Sequence, residues 1–171
     1  MRSVHVRLIL ASVFVVALCA LAATQGRQPP DPGKALTTTM TTVNQQILDM
    51  AEDFPADKYN FKATPEVRSF AEVMVHVMSG TVYAAKAGRG ENVQWSELDP
   101  KAYSGKPAIV AALKKAIADN DSTLKATPAT RFAASPEPWL AVIEHTAEHY
   151  GQLVVYYRLN GIVPPASRPK K

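Results

Sequence analysis

The stretch EHTAEHYGQLVVYYRLNGIVPP, residues 144–165, carries the strongest structural signal in this chain. Its apolar residues recur at helical intervals, and Asn160-Gly161 followed by two prolines is typical of a helix end. His145 and His149 lie four residues apart in it, so they point to the same side of one helix, about one turn apart. Two imidazoles placed in this way can bind one metal ion.

The composition is that of a globular domain. The chain has 171 residues, 47% of them apolar and 20% charged, which suffices for one domain with a hydrophobic core. The net charge is +4, but Arg2 and Arg7 contribute two of the 19 basic residues, so the remainder is nearly neutral. The sequence has no basic stripe with interleaved aromatic residues, which argues against nucleic-acid binding.

Residues 1–22 have the pattern of a secretory signal peptide. A short basic segment precedes an apolar run from about residue 8 to 18, and Ala20-Leu21-Ala22 fits a cleavage site. The alternative is a retained membrane anchor, but the run is shorter than the ~20 residues that a span needs. We therefore expect cleavage, an exported protein in the periplasm or outside the cell, and no membrane attachment afterwards.

The single cysteine, Cys19, lies in the segment that would be removed. The mature protein would then have no thiol, which excludes disulfides, cysteine nucleophiles and zinc–thiolate sites. An oxidising, exported location suits such a chain.

The rest of the chain divides into a flexible linker over 23–33, a helical domain over 34–168 and a basic tail over 169–171. Apolar residues at spacings of three and four predict four helices in the domain. They run from about 32 to 54, from a Thr64-Pro65 start to 88, from 104–107 to about 124, and from 138 to 160. No segment alternates as a strand would, so the predicted fold is an all-α four-helix bundle with long connecting loops.

Outside the signal peptide there are three histidines, and each is predicted to lie inside a helix. His76 lies midway along the second helix, and His145 and His149 lie on the fourth. If those helices face each other, His76 completes a three-histidine metal site with open coordination positions. The alternative is three ordinary, partly buried histidines with hydrogen-bond partners.

Residues 145–149 also fit the H-x-x-E-H pattern of inverted zinc proteases. Such enzymes need a further acidic ligand downstream, and no Asp or Glu follows His149, so we do not favour that class. Glu148 remains a weak candidate for a general base, the alternative being a solvated helix residue.

The sequence resembles the DinB-like superfamily of four-helix-bundle proteins. The resemblance is carried by DKYNFKATPEVRSFAEVMVHV (57–77), EHTAEHYGQL (144–153) and YYRLNGIVPPASR (156–168), together with their spacing. It covers roughly residues 35–168. It implies a divalent ion, zinc, nickel or iron, bound by His76, His145 and His149. It also implies homodimers, which many members form.

The resemblance leaves the reaction open, because the superfamily includes transferases, an isomerase, hydrolases and members without assigned activity. We expect an exported metal-binding protein that acts as a metal-dependent hydrolase or transferase on a small-molecule substrate, using Lewis-acid chemistry. The alternative is a non-catalytic metal-binding protein or a structural helical bundle.

Several other side chains are candidates for the surroundings of the site. Glu72, four residues before His76, is placed to hydrogen-bond a ligand histidine, or else is a surface carboxylate. Gly80 would leave space above the site or serve helix packing. The remaining candidates are pocket-lining aromatics, which are more often core residues, and an arginine for an anionic substrate: Tyr83, Trp95, Tyr150, Tyr156 and Arg89.

Overall fold

A computed structural model describes residues 31–169 of the chain. These residues form four long α-helices and one short one, joined by loops with three 3₁₀ turns, and the described part contains no strand. The helices are α1 (Pro32–Asp53), α2 (Phe70–Gly88), α3 (Gly105–Ala126), α4 (Ala129–Ala134) and α5 (Glu137–Leu159). The predicted all-α class is confirmed.

The four long helices pack in the ring order α1, α3, α2, α5. Each packs mainly against two neighbours, α2 against α3 and α5, and α1 against the same two helices. Helices α1 and α2 are therefore diagonal to each other, although they are consecutive in sequence. Helices α3 and α5 form the other diagonal pair. A connection across a diagonal has to cross the end of the bundle, which explains the long segments after α1 and α3.

The core consists of two hydrophobic clusters along the bundle. The larger cluster contains an aromatic group in which Phe54 stacks on Phe70 at a centroid distance of 3.9 Å and contacts Tyr157 at 4.9 Å. The smaller cluster is built around Trp139, which packs against Phe132 of α4 at 5.0 Å. Each of these large side chains is fully or almost fully buried, and burial of this kind contributes about 1.5–3 kcal/mol per side chain.

The start of the second helix was predicted wrongly. Residues from Thr64 to Val67 form a turn, and α2 begins after Ser69 with a reciprocal capping box: the Ser69 amide donates to Glu72 at 2.6 Å, and the Glu72 amide donates to the Ser69 hydroxyl at 3.2 Å. The amide of Phe70 also donates to a loop carbonyl, that of Phe61, at 3.0 Å. These bonds satisfy the first-turn donors and favour the later start over the Thr64-Pro65 signal.

The other predicted ends hold to within a few residues. The last helix ends at Leu159, and Gly161 adopts a left-handed φ of +71°, as its Asn-Gly signal indicates. The connection between α3 and α5 contains α4, a six-residue helix that sequence periodicity did not reveal.

None of the described helices is both long and apolar enough to cross a membrane. The predicted signal peptide, most of the predicted linker and the last two residues of the basic tail lie outside the described residues. The final two linker residues, Pro32 and Gly33, belong to α1.

Candidate metal centre

The packing of α2 against α5 brings together the three histidines that the sequence predicted. His76 comes from α2, and His145 and His149 come from α5. One ring nitrogen of each lies within 4.8 Å of those of the other two, and the ring centroids are 4.5–4.7 Å apart. All three side chains are half-buried between the helices.

His76 is oriented by a carboxylate on its outer side. Its Nδ1 lies 2.7 Å from Oε2 of Glu97, a residue of the loop between α2 and α3. A carboxylate accepts and cannot donate, so Nδ1 carries the hydrogen and the lone pair lies on Nε2. That Nε2 faces the other two histidines, because it lies 2.9 Å from Nε2 of His145.

His149 is oriented by an amide on its own helix. Its Nδ1 donates to Oε1 of Gln152 at 2.8 Å, and Nε2 of Gln152 donates to the Tyr156 hydroxyl at 3.1 Å. The Tyr156 hydroxyl in turn donates to the carbonyl of Arg68, just before α2. All the donors in this chain point away from His149, so the lone pair of His149 also lies on Nε2.

His145 has no such outer partner. Its Nδ1 is buried and has no hydrogen-bond partner among the described residues. The Trp95 ring packs against the His145 ring edge-on at 4.6 Å. With Nδ1 enclosed, Nε2 is the nitrogen that His145 turns towards the other two.

Burial keeps the two histidines of α5 neutral. It lowers the pKa of His145 to about 4, and the neighbouring His149 and His76 lower it further in the same direction. Burial also lowers the pKa of His149, against the opposing effect of its hydrogen bond to Gln152. Both imidazoles are therefore uncharged at neutral pH, as metal ligation requires.

This donor set fits a metal ion. Three imidazole nitrogens converge on one point, two of their rings are fixed with Nε2 inward, and such a set suits zinc, nickel or iron. The three histidines are positioned to bind one metal ion.

Comparison with known families supports the same conclusion. A model of the DinB superfamily matches residues 39–156, well over half of the chain. The chain belongs to the DinB superfamily. The match spans His76, His145 and His149 of this DinB chain, and no curated protein matches the sequence.

In this DinB chain, Glu72 does not hydrogen-bond a ligand histidine, which is the role that its spacing suggested. Its carboxylate caps the start of α2 and lies 3.5 Å from the ammonium of Lys62. The hydrogen bond of the capping box holds the carboxylate at the helix end, one turn away from His76. Glu97 occupies the position at His76 instead.

Gly80 is the point at which a loop side chain enters. A Cβ atom built on Gly80 would lie 2.4 Å from Cη2 of Trp95, so any larger residue would collide with the indole ring. The glycine makes room for Trp95, which in turn contacts His145 and lies tilted at 5.5 Å from Tyr83. The space at Gly80 is therefore filled by a loop side chain and does not serve the packing of another helix.

The remaining candidates are Tyr156, Tyr150, Arg89 and Glu148. Tyr156 is buried and belongs to the hydrogen-bond chain from His149, whereas Tyr150 is half-buried and packs against the larger core cluster. Arg89 forms ion pairs with Glu91 and Asp119. Glu148 is exposed on α5, and its role as a base stays a prediction.

Sequence reasoning gave neither Glu97 nor Gln152 a role at the site. Gln152 lies three residues after His149, so helical spacing alone places the two side chains on one face and could have identified it. Glu97 lies in a loop, where no periodicity indicates which way a side chain points.

One cleft of the bundle lies away from the histidines. It has a volume of about 530 Å³ and lies between the end of α2 and α4, lined by Gly88, Arg131 and Trp139 among others. Gly88 is about 18 Å along the helix axis from His76. The cleft and the histidines are therefore separate features of the bundle.

Proposed function

We propose that this DinB protein holds one divalent ion, zinc, nickel or iron, on His76, His145 and His149, and uses it as a metal-dependent hydrolase or transferase. The observation that carries the proposal is the convergence of three ring nitrogens within 4.8 Å. When bound, the ion would supply a Lewis acid that polarises a carbonyl or related group of a small-molecule substrate.

The protein's own side chains would prepare the site. Glu97 and Gln152 fix the rings of two ligands with Nε2 inward, which removes the cost of orienting them on binding. Trp95 covers one side of His145 with apolar surface and keeps water from that ring. Glu148, exposed one residue before His149, is the candidate for accepting a proton from a substrate.

Metal content is the decisive test. Elemental mass spectrometry should find close to one ion per wild-type chain and none in the double variant His145→Ala/His149→Ala. Glu144→Ala is the matched control, because Glu144 is exposed on the same helix. The metal should also raise the melting temperature of the wild type and leave that of the double variant unchanged. Wild-type protein without metal after reconstitution with zinc, nickel and iron would contradict the proposal.

Catalysis needs a separate measurement. A panel of esters, amides and thiol acceptors should be turned over only by the metal-loaded wild type, and Glu148→Gln should lower the rate by about 10²–10⁴-fold if Glu148 is the base. Metal binding without turnover of any compound would instead support a non-catalytic metal-binding role.

We also propose that the protein is exported. The support is the pattern of residues 1–22: two arginines, an apolar run and a small-residue cleavage site. Intact mass of the protein recovered outside the cytoplasm should correspond to a chain that begins at residue 23. A full-length mass in the cytoplasmic fraction would contradict export.

For the quaternary structure we propose a homodimer formed by the outer face of α5. Exposed apolar residues lie at both ends of this face, with Leu140 46%, Val155 50% and Leu159 58% exposed. In an antiparallel pair of α5 helices centred on Gly151, Glu144 of each chain would oppose Arg158 of the other, so the face is complementary to itself.

Sedimentation velocity tests the dimer. Val155→Glu should shift the wild-type dimer to monomer, because it places a charge in an apolar contact. Ala111→Glu, an exposed residue of α3, should have no effect. A wild type that is monomeric at all concentrations would overturn this part of the proposal.

A further inference from the structure

The loop that joins α2 to α3 contacts the helix face that carries His76. Within it, we call residues 95–98 the strap. Glu97 bonds to His76 at 2.7 Å, and the amide of Leu98 donates to the Ser79 hydroxyl at 3.0 Å. Trp95 packs on Gly80. His76, Ser79 and Gly80 are three and four residues apart, so the strap lies along one face of α2.

The contact of Glu97 is specific to the histidine. Among the described residues, Glu97 accepts from the His76 ring and pairs with no lysine or arginine, although half of its side chain (51%) is exposed. The other carboxylate of this loop, Glu91, pairs with Arg89 at 2.9 Å. The His76 side chain is 12% exposed, so an exposed acid reaches inwards to a nearly enclosed ring.

The two outer partners of the site differ in charge. Gln152 offers His149 a neutral amide oxygen, whereas Glu97 offers His76 an anionic one. An anionic acceptor fixes the hydrogen on Nδ1 more strongly and increases the electron density at Nε2. It also places a negative charge one imidazole ring away from the point where the three nitrogens meet.

We infer that Glu97 is a positioning residue of the metal site, through which the strap becomes part of that site. The inference rests on the proposed function, namely that His76 binds an ion through Nε2. Glu97 holds the His76 ring in the Nδ1–H tautomer and strengthens Nε2 as a ligand. Trp95 packs against His145, so the same short segment contacts two of the three ligands.

Three variants of the full-length protein test this. The affinity for zinc and for nickel, measured by competition with a chromophoric chelator, should fall about 10–100-fold in Glu97→Ala. Glu97→Gln should lose less, because its amide oxygen still accepts from Nδ1 although the charge is gone. Glu91→Ala is the matched control: it removes a carboxylate of similar exposure from the same loop and should bind as the wild type does.

A spectroscopic measurement separates positioning from a general loss of structure. In metal-free protein labelled with ¹⁵N-histidine, NMR should find His76 as the Nδ1–H tautomer in the wild type and Glu97→Gln, and as a tautomer mixture in Glu97→Ala. The metal-free protein should still unfold in one cooperative transition in all of them, with at most a small change in melting temperature, since half of the Glu97 side chain is exposed.

The outcomes distinguish the two claims. If the wild type binds none of zinc, nickel and iron, the proposed function is refuted, and so is this inference. If the wild type binds and Glu97→Ala binds equally well, or keeps the wild-type tautomer at His76, the metal site stands and the role of Glu97 is overturned.

Discussion

At the scale of single residues, two glycines in helix interiors have opposite roles. Gly80 faces Trp95, and a Cβ there would lie 2.4 Å from the indole ring. Gly151 lies in α5 with no atom within 4 Å of the same built position. Both carry the entropic cost of glycine in a helix, but only Gly80 offsets it by allowing a contact.

We predict that alanine changes stability in opposite directions at these two positions. Gly80→Ala should lower the free energy of unfolding by about 1–3 kcal/mol, because the methyl group displaces Trp95. Gly151→Ala should raise it by about 0.5–1 kcal/mol. Urea denaturation at low protein concentration measures both.

The double variant Gly80→Ala/Trp95→Ala is the control for the first effect. With the indole removed, the added methyl group should cost much less than it does in the wild type, so the two substitutions should not be additive. Additive losses would mean that Gly80 is required for some reason other than Trp95.

At the scale of elements, the segment after α5 is tied back to the end of α1. Arg168 donates two hydrogen bonds to the Asp53 carboxylate, at 2.7 and 2.6 Å, and Tyr157 of α5 donates a third at 3.3 Å. The hydrogen bonds from Arg168 are the main cause that lowers the pKa of Asp53 below its ordinary value of 3.8, against the opposing effect of burial.

A pH-dependent contribution to stability follows from this pair. Because the pKa of Asp53 is lower in the folded state, the pair stabilises the fold fully above the unfolded value of 3.8 and loses its effect as the pH falls through the folded value. Arg168→Ala should lower the free energy of unfolding only slightly at pH 7, since both side chains are partly exposed.

Urea denaturation at pH 7, 5 and 3 checks this prediction. The difference between wild type and Arg168→Ala should be the same at pH 7 and 5 and smaller at pH 3. Lys115→Ala, at an exposed residue of α3 in no ion pair of the described residues, should show no such trend. A difference that grows at pH 3 would refute the assignment.

At the scale of the whole molecule, buried polar residues accompany the two hydrophobic clusters. Each long helix contributes at least one of them, including Asn44, Thr81, Asn120 and Thr146. The Thr81 hydroxyl donates to the carbonyl of Val77 at 3.3 Å, whereas the Thr146 hydroxyl has no partner in the described part of the chain. A buried unpaired hydroxyl costs roughly 1–3 kcal/mol.

We therefore predict that Thr146→Val stabilises the protein by about 1 kcal/mol, because valine keeps the shape and removes the unpaired group. Thr81→Val is the matched control and should be neutral or slightly destabilising, since it removes a hydrogen bond. Thermal or urea denaturation measures both. A loss on Thr146→Val would mean that a buried water satisfies its hydroxyl.

The candidate site shows how far sequence reasoning reaches. Helical spacing was sufficient to pair His145 with His149 and to place His76 inside a helix, because a helix fixes the direction of a side chain from its position. It could not identify Glu97, and it named Trp95 only as one of several pocket-lining aromatics, because both residues reach the histidines from a loop. It also misplaced the start of α2. Backbone hydrogen bonds to the carbonyls of Tyr59 and Phe61 favour the start at Ser69 over the Thr64-Pro65 start.

The sequence by itself determined the helices, the end of α5 at Asn160-Gly161 and the kind of ligand in the site. These features depend on contacts within a few residues, which periodicity and capping patterns record. Only the tertiary structure decided the ring order of the helices, the meeting of His76 with the pair on α5, and the carboxylate behind it. Those features depend on packing between segments far apart in the chain, where sequence spacing carries no directional information.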